Sequence, residues 1–336
     1  MLRIQDHSFH PPADTPLMRV RLLILLACLV ASLAPSRAGA ADLVLVQSSA
    51  LAPYEEARAA IEAHWAQPRA LGGVKSIAPI SLAVFLLTDY PSLPQLAQKI
   101  REERPRAVLA IGREALAFCR EQVPAPVVYL LAPEGQELAG ARRDILGVSL
   151  KIDPVRQLAA LGRALPGVQT IGALYSPQHS GAWVKEALLS PVADVQTLLF
   201  RKIDASTDFA RALAGLGGSI QAYWLLPDQL AATPETVRHL LHFSFARQIP
   251  IIAFSEKYLS QGAALAITFD IPDLGRQAAE LAGQIAGGAD PATLPALSPP
   301  RLVRVVANLK ILARMGITVN QAEVTAPYLN GDTDRP

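Results

Sequence analysis

Cysteine is almost absent from the 336-residue sequence, which contains only Cys28 and Cys119. Two cysteines cannot form the dense disulfide framework of small secreted domains. If Cys28 is removed with an N-terminal leader, Cys119 has no partner within the chain. Because Cys119 lies in ALAFCREQV at helical spacing from Ala115, we interpret it as a buried structural thiol and not as a nucleophile.

Charged residues are also scarce, at 18% of the chain against 51% hydrophobic residues. This composition excludes disordered, collagen-like and coiled-coil proteins. The net charge of +2 comes from residues 1–40, which hold four arginines and two aspartates, so the remainder carries 27 basic and 27 acidic residues. A neutral body lacks the basic surface that binds nucleic acids, and we predict no nucleic-acid partner.

The longest apolar run stands near the N-terminus. Arg19 and Arg21 precede an apolar stretch over 22–34, and Ala-Gly-Ala follows at 38–40. Positive, apolar and small-residue regions in this order are typical of a secretory signal peptide, and the run is shorter than the roughly 20 residues of a membrane-spanning helix. We predict that residues 1–40 are a signal peptide and that the mature protein is periplasmic.

The leader leaves two alternatives open. Translation from Met18 would place the arginines at the start of the chain. Cys28 would make the protein a lipoprotein, although only six apolar residues separate this cysteine from Arg21.

Short apolar runs then alternate with helical patterns along the mature chain. Nearly continuous apolar strands indicate a parallel sheet buried on both faces, and their alternation with helices indicates βαβ units. A first set of strands ends near residue 131, and a second set begins after Asp153, which can cap a helix that has Pro154 at its first position. The predicted strands are LVLVQ (43–47), SLAVFLL (81–87), RAVLAIG (106–112), PVVYLL (126–131), TIGALYS (170–176), DVQTLLF (194–200), AYWLLP (222–227), PIIAF (250–254), ALAITF (264–269) and RLVRVVA (301–307).

Three stretches resemble a known family. The run IPIIAFSEKYLSQGAALAITFDIPDLGRQAAELAGQIAGG at 249–288 resembles the solute-binding proteins of ABC importers, and more closely the tryptophan/tyrosine-type ABC substrate-binding proteins. AIGREALA at 110–117 and LGVSLKIDPVRQLAALGRALPGVQTIGALYSP at 146–177 are similar to further segments of that family. Arg113 follows the glycine of the 110–117 segment, where the family usually has a small hydroxyl residue.

The resemblance implies an α/β fold of the periplasmic-binding-protein type I-like class, with two doubly wound α/β lobes and a hinged interlobe cleft. With the strand pattern, it predicts an N-lobe from 42–148 plus 262–289 and a C-lobe from 149–258 plus 296–320. Residues 321–336 are predicted to be a polar tail.

Polar residues that follow predicted strands are the candidate ligand contacts, because ligands bind at the carboxyl ends of parallel strands. Hydroxyl groups and helix N-termini suit a ligand carboxylate, and Arg113 could bind one with two hydrogen bonds. Asp228 could accept a hydrogen bond from an amine or hydroxyl of the ligand. Aromatic rings could cover an apolar part of it. Helix capping, turn formation and core packing are the structural alternatives for the same positions. The candidates are Ser48, Ser49, Tyr54, Arg113, Glu114, Ser176, Ser180, Gly181, Trp183, Asp228, Ser255 and Asp270.

Catalytic and metal-binding patterns do not accompany these residues. His239 and His242 lie three positions apart on a predicted helix, but no third ligand is apparent. The sequence holds no nucleophile elbow, Walker loop or dinucleotide-binding glycine motif. We therefore predict a non-enzymatic protein without a metal or a cofactor.

The predicted function is that of the periplasmic solute-binding component of an ABC importer. The protein would capture a small amino-acid-like or organic-acid ligand between its lobes, act as a monomer and meet a membrane permease transiently. A periplasmic ligand-sensing subunit of a signalling receptor is the alternative, and an exported enzyme is a third class.

Overall fold

The computed structural model describes residues 41–66, 80–189 and 197–328. The predicted signal peptide, including Cys28, lies outside these ranges. Within them, no helix is long and apolar enough to cross a bilayer.

The strands and helices alternate along the chain, as the sequence predicts. The strands are β1 Leu43–Gln47, β2 Leu82–Leu86, β3 Ala107–Ile111, β4 Val127–Leu130, β5 Ile145–Val148, β6 Thr170–Tyr175, β7 Thr197–Lys202, β8 Ala222–Leu225, β9 Ile251–Ala253, β10 Leu265–Phe269, β11 Leu297–Ser298, β12 Val303–Ala307 and β13 Ala326–Pro327. The helices are α1 Ala52–Ala66, α2 Leu93–Glu103, α3 Arg113–Gln122, α4 Gly135–Ala139, α5 Pro154–Ala164, α6 Pro177–Leu189, α7 Phe209–Ala214, α8 Pro234–Arg247, α9 Ile271–Ala286 and α10 Leu309–Arg314.

The first lobe is built on a parallel sheet with strand order β11-β5-β4-β3-β1-β2. Its central strands are apolar because both faces are covered. Leu43, Leu45 and Leu109 pack under α1 and α9, whereas Val44 and Val108 pack against α2 and α3 on the other face. The predicted burial of these runs on both faces is confirmed.

The second lobe has the strand order β13-β12-β10-β9-β8-β6-β7. Strands β6 to β10 pair in parallel, and β12 runs antiparallel to β10. Trp224 lies in the core of one face and Tyr223 in the core of the other, and both are buried. The fold class predicted from the sequence, with two α/β lobes, is confirmed.

Helix α9 leaves the second sheet and packs on the first lobe beside α1. Gly275 lies against the carbonyl oxygen of Ala57, and Gly283 lies against the ring of Trp65. Because the contacts advance in the same direction along both helices, α1 and α9 run parallel. Their N-terminal ends therefore lie side by side.

The strand pairing corrects part of the predicted lobe boundaries. The range 262–289 was assigned to the N-lobe, but β10 pairs with β9 and β12 in the second sheet, and only α9 joins the first lobe. The range 296–320 was assigned to the C-lobe, but β11 pairs with β5 in the first sheet. The chain therefore crosses between the lobes after β5, near Asp270, and again between Ser298 and Val303. The remaining predicted boundaries stay a proposal.

The predicted polar tail is also ordered in part. Ala326–Pro327 form β13 and pair with Val306 and Ala307 of β12. Residues 329–336 lie outside the described ranges.

A group of charged side chains connects the last two crossings. Arg301 donates to Asp273 at 3.0 Å and to Glu280 at 2.8 Å, both on α9. Arg156 of α5 donates to the carbonyl oxygens of Pro300 and Arg301, at 2.5 and 2.6 Å. Burial raises the pKa of Asp273, but the hydrogen bonds from Gln277 and Arg301 outweigh it and hold this pKa below the ordinary value.

Cys119 is fully buried in α3, in agreement with the interpretation from the sequence. Burial raises the pKa of its thiol far above the ordinary value.

We expect the native chain to show no Cys119 reaction with Ellman's reagent over minutes, and one additional thiol to react in guanidinium chloride. A Cys119→Ala variant measured in parallel isolates this thiol from Cys28. Rapid labelling of Cys119 under native conditions would contradict its burial.

Candidate functional site

The first-lobe edge is organised around Ser48, which follows β1. The Ser48 hydroxyl donates to the carbonyl oxygen of Ile111 at 3.0 Å and accepts from the backbone N–H of Ala115 at 2.9 Å. Ser48 thus satisfies an N–H in the first turn of α3, whose own N-cap residue is Gly112 and has no side chain. The hydroxyl of Ser48, predicted to contact a ligand, already has two protein partners.

Gly112 forms the turn between β3 and α3 at a positive φ of 94°, a conformation that favours glycine. A Cβ atom there would overlap the Ser48 hydroxyl and lie 3.0 Å from Cε2 of Tyr54. Ser48, Gly112 and Tyr54 therefore form one close-packed edge. Glu114, the second residue of α3, lies next to this turn. Partial burial raises the pKa of Tyr54, and the negative charge of Glu114 adds to that shift.

Ser49 continues this edge through its main chain. Its carbonyl oxygen accepts from Nε2 of Gln47 at 2.8 Å, and the same amide donates to Glu55 at 2.6 Å. Gln47 is fully buried, and its Oε1 has no hydrogen-bond partner among the described residues. Gln47 was not among the predicted contacts, although a glutamine at the end of the apolar strand LVLVQ is an unusual residue for a buried position.

Arg113 is held away from a ligand role by protein partners. Its Nη1 donates to Glu134 at 2.9 Å and to the carbonyl oxygen of Pro133 at 3.3 Å. The side chains of Arg113 and Glu134 are 46% and 63% exposed, so this is a solvated surface ion pair. The clamp on a ligand carboxylate predicted for Arg113 competes with this pairing.

The second-lobe edge is organised around Asp228, which is 2% exposed. One carboxylate oxygen accepts from the N–H of Ser176 at 2.7 Å. The other accepts from the N–H groups of Leu230 and Ala231, at 2.9 and 3.1 Å. Asp228 therefore joins the loop after β8 to the turn before α6, and its oxygens are occupied by backbone donors.

The turn before α6 brings Ser176 and Ser180 together, since the N–H of Ser180 donates to the carbonyl oxygen of Ser176 at 2.9 Å. Both serines are buried. The Ser176 hydroxyl lies 2.9 Å from Nδ1 of His179, an exposed residue that was not predicted as a contact. Gly181, the fifth residue of α6, is half-buried, and a Cβ atom there would lie at an ordinary 3.8 Å from Cβ of Pro177.

Three other predicted contacts have structural partners. Trp183 packs edge-on against Trp224 with the ring centroids 4.3 Å apart, so this partly buried ring packs against the core of the second lobe. Asp270 caps α9 by accepting from the N–H of Asp273 at 2.8 Å. Ser255 is half-buried after β9, and its carbonyl oxygen accepts from the N–H of Tyr258.

The structure therefore groups the predicted residues into two sets. Ser48, Ser49, Tyr54 and Glu114 share the first-lobe edge, and Ser176, Ser180 and Asp228 share the second. In the described part of the chain, no group of three or more metal-ligating side chains has the arrangement to hold an ion.

Comparison with solved structures identifies the fold. The ligand-free, open structure of CD0873, a substrate-binding protein with adhesive properties from Clostridium difficile, is similar with a TM-score of 0.66 at 17% identity, over 85% of this chain and 98% of that one. An ABC domain from Streptococcus pneumoniae in complex with L-Trp gives a TM-score of 0.53 at 19% identity, over 86% and 100% of the two chains. AraP, an arabinose-binding protein from Geobacillus stearothermophilus, gives 0.51 at 10% identity, over 81% and 98%. The fold is periplasmic-binding-protein type I-like.

The sequence also identifies the family. The profile of the ABC transporter substrate binding proteins matches residues 87–327, which include most of both lobes. The chain belongs to this family. No curated protein matches the sequence.

Proposed function

We propose that the protein is the periplasmic solute-binding component of an ABC importer and captures a small ligand between its lobes. The family match over residues 87–327 is the observation that carries this proposal. The protein would act as a monomer and meet its membrane permease transiently.

The two strand edges described above supply the contacts of the proposed cleft. In parallel sheets, ligands bind outside the carboxyl ends of the strands, where backbone N–H groups and short polar side chains converge. On the first lobe this edge holds Ser48, Tyr54 and Glu114, and on the second it holds Ser176 and Ser180. Since the hydroxyl of Ser48 and the oxygens of Asp228 bond within the protein, these residues shape the edges rather than receive the ligand.

The proposed ligand is an amino-acid-like or organic-acid solute. The pneumococcal structure holds L-Trp, which supports an amino acid, and AraP is named for a sugar. A panel of the twenty L-amino acids, mono- and dicarboxylic acids and common sugars therefore covers the relevant chemistry.

We expect one chemical class of this panel to raise the melting temperature of the full chain and to bind saturably in isothermal titration calorimetry. A ligand that binds only the folded state adds about 2.7 kcal/mol of stability at a hundredfold excess over its Kd. Native mass spectrometry of the protein purified from its host provides an independent test through the solute that copurifies. Turnover of the ligand would indicate an enzyme, and the absence of binding in both experiments would refute the proposal.

Experiments in the host distinguish a transport role from a sensing role. Deletion of the gene should reduce uptake of the bound solute, because the permease then lacks its delivery protein. Intact uptake with loss of a transcriptional response to the solute would favour the sensing subunit instead.

A further inference from the structure

A cation that the site prediction did not include lies at the second-lobe edge. Arg304 stands in β12 between apolar residues and lies opposite Thr268 of β10. Because β12 runs antiparallel to its neighbour, its first residues lie at the carboxyl end of the parallel strands. Arg304 is therefore at the same edge as Glu256, which follows β9.

The described residues do not supply hydrogen-bond acceptors for the guanidinium donors of Arg304. Its side chain is only 31% exposed, and its Nε is buried without a hydrogen-bond partner in the described residues. The nearest carboxylate oxygen, Oε1 of Glu256, lies 3.5 Å from Nε, and across the described ranges Arg304 donates no hydrogen bond. A partly buried guanidinium without acceptors is costly unless another group supplies them.

Arg113 and Arg301 differ from Arg304 in this respect. Arg113 donates to Glu134 and Pro133, and Arg301 donates to Asp273 and Glu280. Nη1 of Arg113 and three nitrogens of Arg301 donate within the protein, whereas Arg304, at the edge where the lobes meet, donates no hydrogen bond among the described residues.

The first lobe presents Glu56 to the same place. Glu56 is the fifth residue of α1, and the start of α1 lies beside the start of α9, which Asp270 caps. Partial desolvation raises the pKa of Glu56; the charge of Arg304 opposes this shift, and Asp270 and Glu256 reinforce it. All three influencing charges belong to the second sheet or to the crossing that leaves it.

Glu56 and Arg304 belong to different lobes and form no direct bond with each other. Among the residues that the structure describes, Glu56 forms no ion pair, and the close partner of Arg304 is Glu256 from its own lobe. Glu56 at the start of α1 and Arg304 at the start of β12 therefore lie on the two sides of the crossing at Asp270, where the proposed cleft opens.

We propose that Arg304, and not Arg113, is the cation that anchors a carboxylate of the solute in the cleft. This inference rests on the proposed function, since it names a contact within the same cleft. A planar guanidinium with free donors matches the two oxygens of a carboxylate. Glu256 lies 3.5 Å from Nε of Arg304, and its negative charge favours a solute with a single carboxylate over a dicarboxylate.

The experiment compares two probes on a set of arginine variants by isothermal titration calorimetry. The probes are the tightest-binding carboxylate of the panel described above and its carboxamide, which has nearly the same shape without the charge. The variants are Arg304→Gln, Arg304→Lys and Arg113→Gln, with Arg201→Gln as a matched control on the edge strand β7 of the same sheet. Melting temperatures without ligand establish that each variant is folded.

We expect Arg304→Gln to weaken binding of the carboxylate by about ten- to a hundredfold, the value of a charge-assisted hydrogen bond. Binding of the carboxamide should change by less than about threefold. Arg304→Lys should recover part of the loss, because it keeps the charge without the fork, and Arg201→Gln should bind like the wild type. A purely structural role of Arg304 would weaken both probes equally, and that result would overturn the inference.

Failure of this inference differs from failure of the proposed function. If the wild type binds no member of the panel and nothing copurifies with it, both fail. If the wild type binds only neutral sugars, or if Arg113→Gln and not Arg304→Gln weakens the carboxylate, the function stands and the assignment to Arg304 is wrong. If Arg304→Gln does not fold, Arg304→Lys decides: equal affinity of this variant and the wild type for both probes overturns the inference.

Discussion

Replacement of Asp228 by alanine is expected to lower the free energy of unfolding by about 3 kcal/mol or more. The Asp228 carboxylate accepts from three backbone N–H groups, those of Ser176, Leu230 and Ala231. Alanine leaves these donors without partners in a buried place, at a cost of about 1 kcal/mol or more for each. Thermal and chemical denaturation followed by circular dichroism measure the change.

Two further variants control this experiment. Asp228→Asn keeps the shape and one carbonyl oxygen but places an amide against a backbone donor, so its stability should fall between those of the wild type and Asp228→Ala. Asp204 has a 74% exposed side chain that lies 3.8 Å from Lys202, and Asp204→Ala should change stability by less than about 0.5 kcal/mol. Equal effects of Asp228→Ala and Asp204→Ala would contradict the role of Asp228 in joining two loops.

This role also bears on the ligand contact that the sequence predicted for Asp228. Its position after an apolar strand at a sheet edge is visible in the sequence, but the backbone donors around it are not. Ser176 is 52 residues away in the chain, and only the parallel register of β6 and β8 brings its N–H to the carboxylate. Long-range contacts of this kind determine whether a polar residue at an edge faces a ligand or is used by the fold.

Local signals predicted the elements of the fold well. Strands appear as apolar runs because both sheet faces are covered, and helices begin where capping residues stand. Asp153, Thr233 and Asn308 accept from backbone N–H groups of the helices that follow them. These features depend on neighbours along the chain, so the sequence carries them directly.

Lobe membership depends on pairing, which local patterns do not encode. Only Asp270 separates β10 from α9, yet one element joins the second sheet and the other packs on the first lobe. Strand β11 has two residues, too few for an apolar pattern, and β5 was not recognised as a strand. The order of the predicted strands and helices, together with the family resemblance, predicts several crossings but not their exact positions.

Arg304 is a further case in which the sequence pattern alone does not reveal the role of a residue. In RLVRVVA, Arg304 is the charged residue that has apolar residues on both sides, which is a visible signal. Its meaning depends on the antiparallel direction of β12, which turns the start of this strand towards the carboxyl ends of its neighbours. The position of Arg113 after a parallel strand favours it as the carboxylate contact, but in the structure its guanidinium is paired with Glu134.

Substitution of Gly275 by alanine is expected to destabilise the protein, although alanine is the better helix former. Gly275 lies within α9, where the exchange alone would add about 1 kcal/mol of stability. Its Cβ would stand 2.6 Å from the carbonyl oxygen of Ala57 and 3.1 Å from Cβ of Ala60 on α1. Since a helix backbone cannot move aside as a flexible side chain does, we expect a net loss of about 1–3 kcal/mol in chemical denaturation.

Gly181→Ala is the matched control, because Gly181 also lies within a helix but has room for a side chain. Its Cβ would meet Pro177 at an ordinary 3.8 Å, so we expect a gain of up to about 1 kcal/mol. Opposite signs at the two glycines would show that close approach of α1 and α9, rather than glycine content, limits stability at the crossing. If Gly275→Ala stabilises the protein as Gly181→Ala does, the two helices can separate at little cost. Their packing would then not be what fixes the start of α1, and with it Glu56, beside the crossing between the lobes.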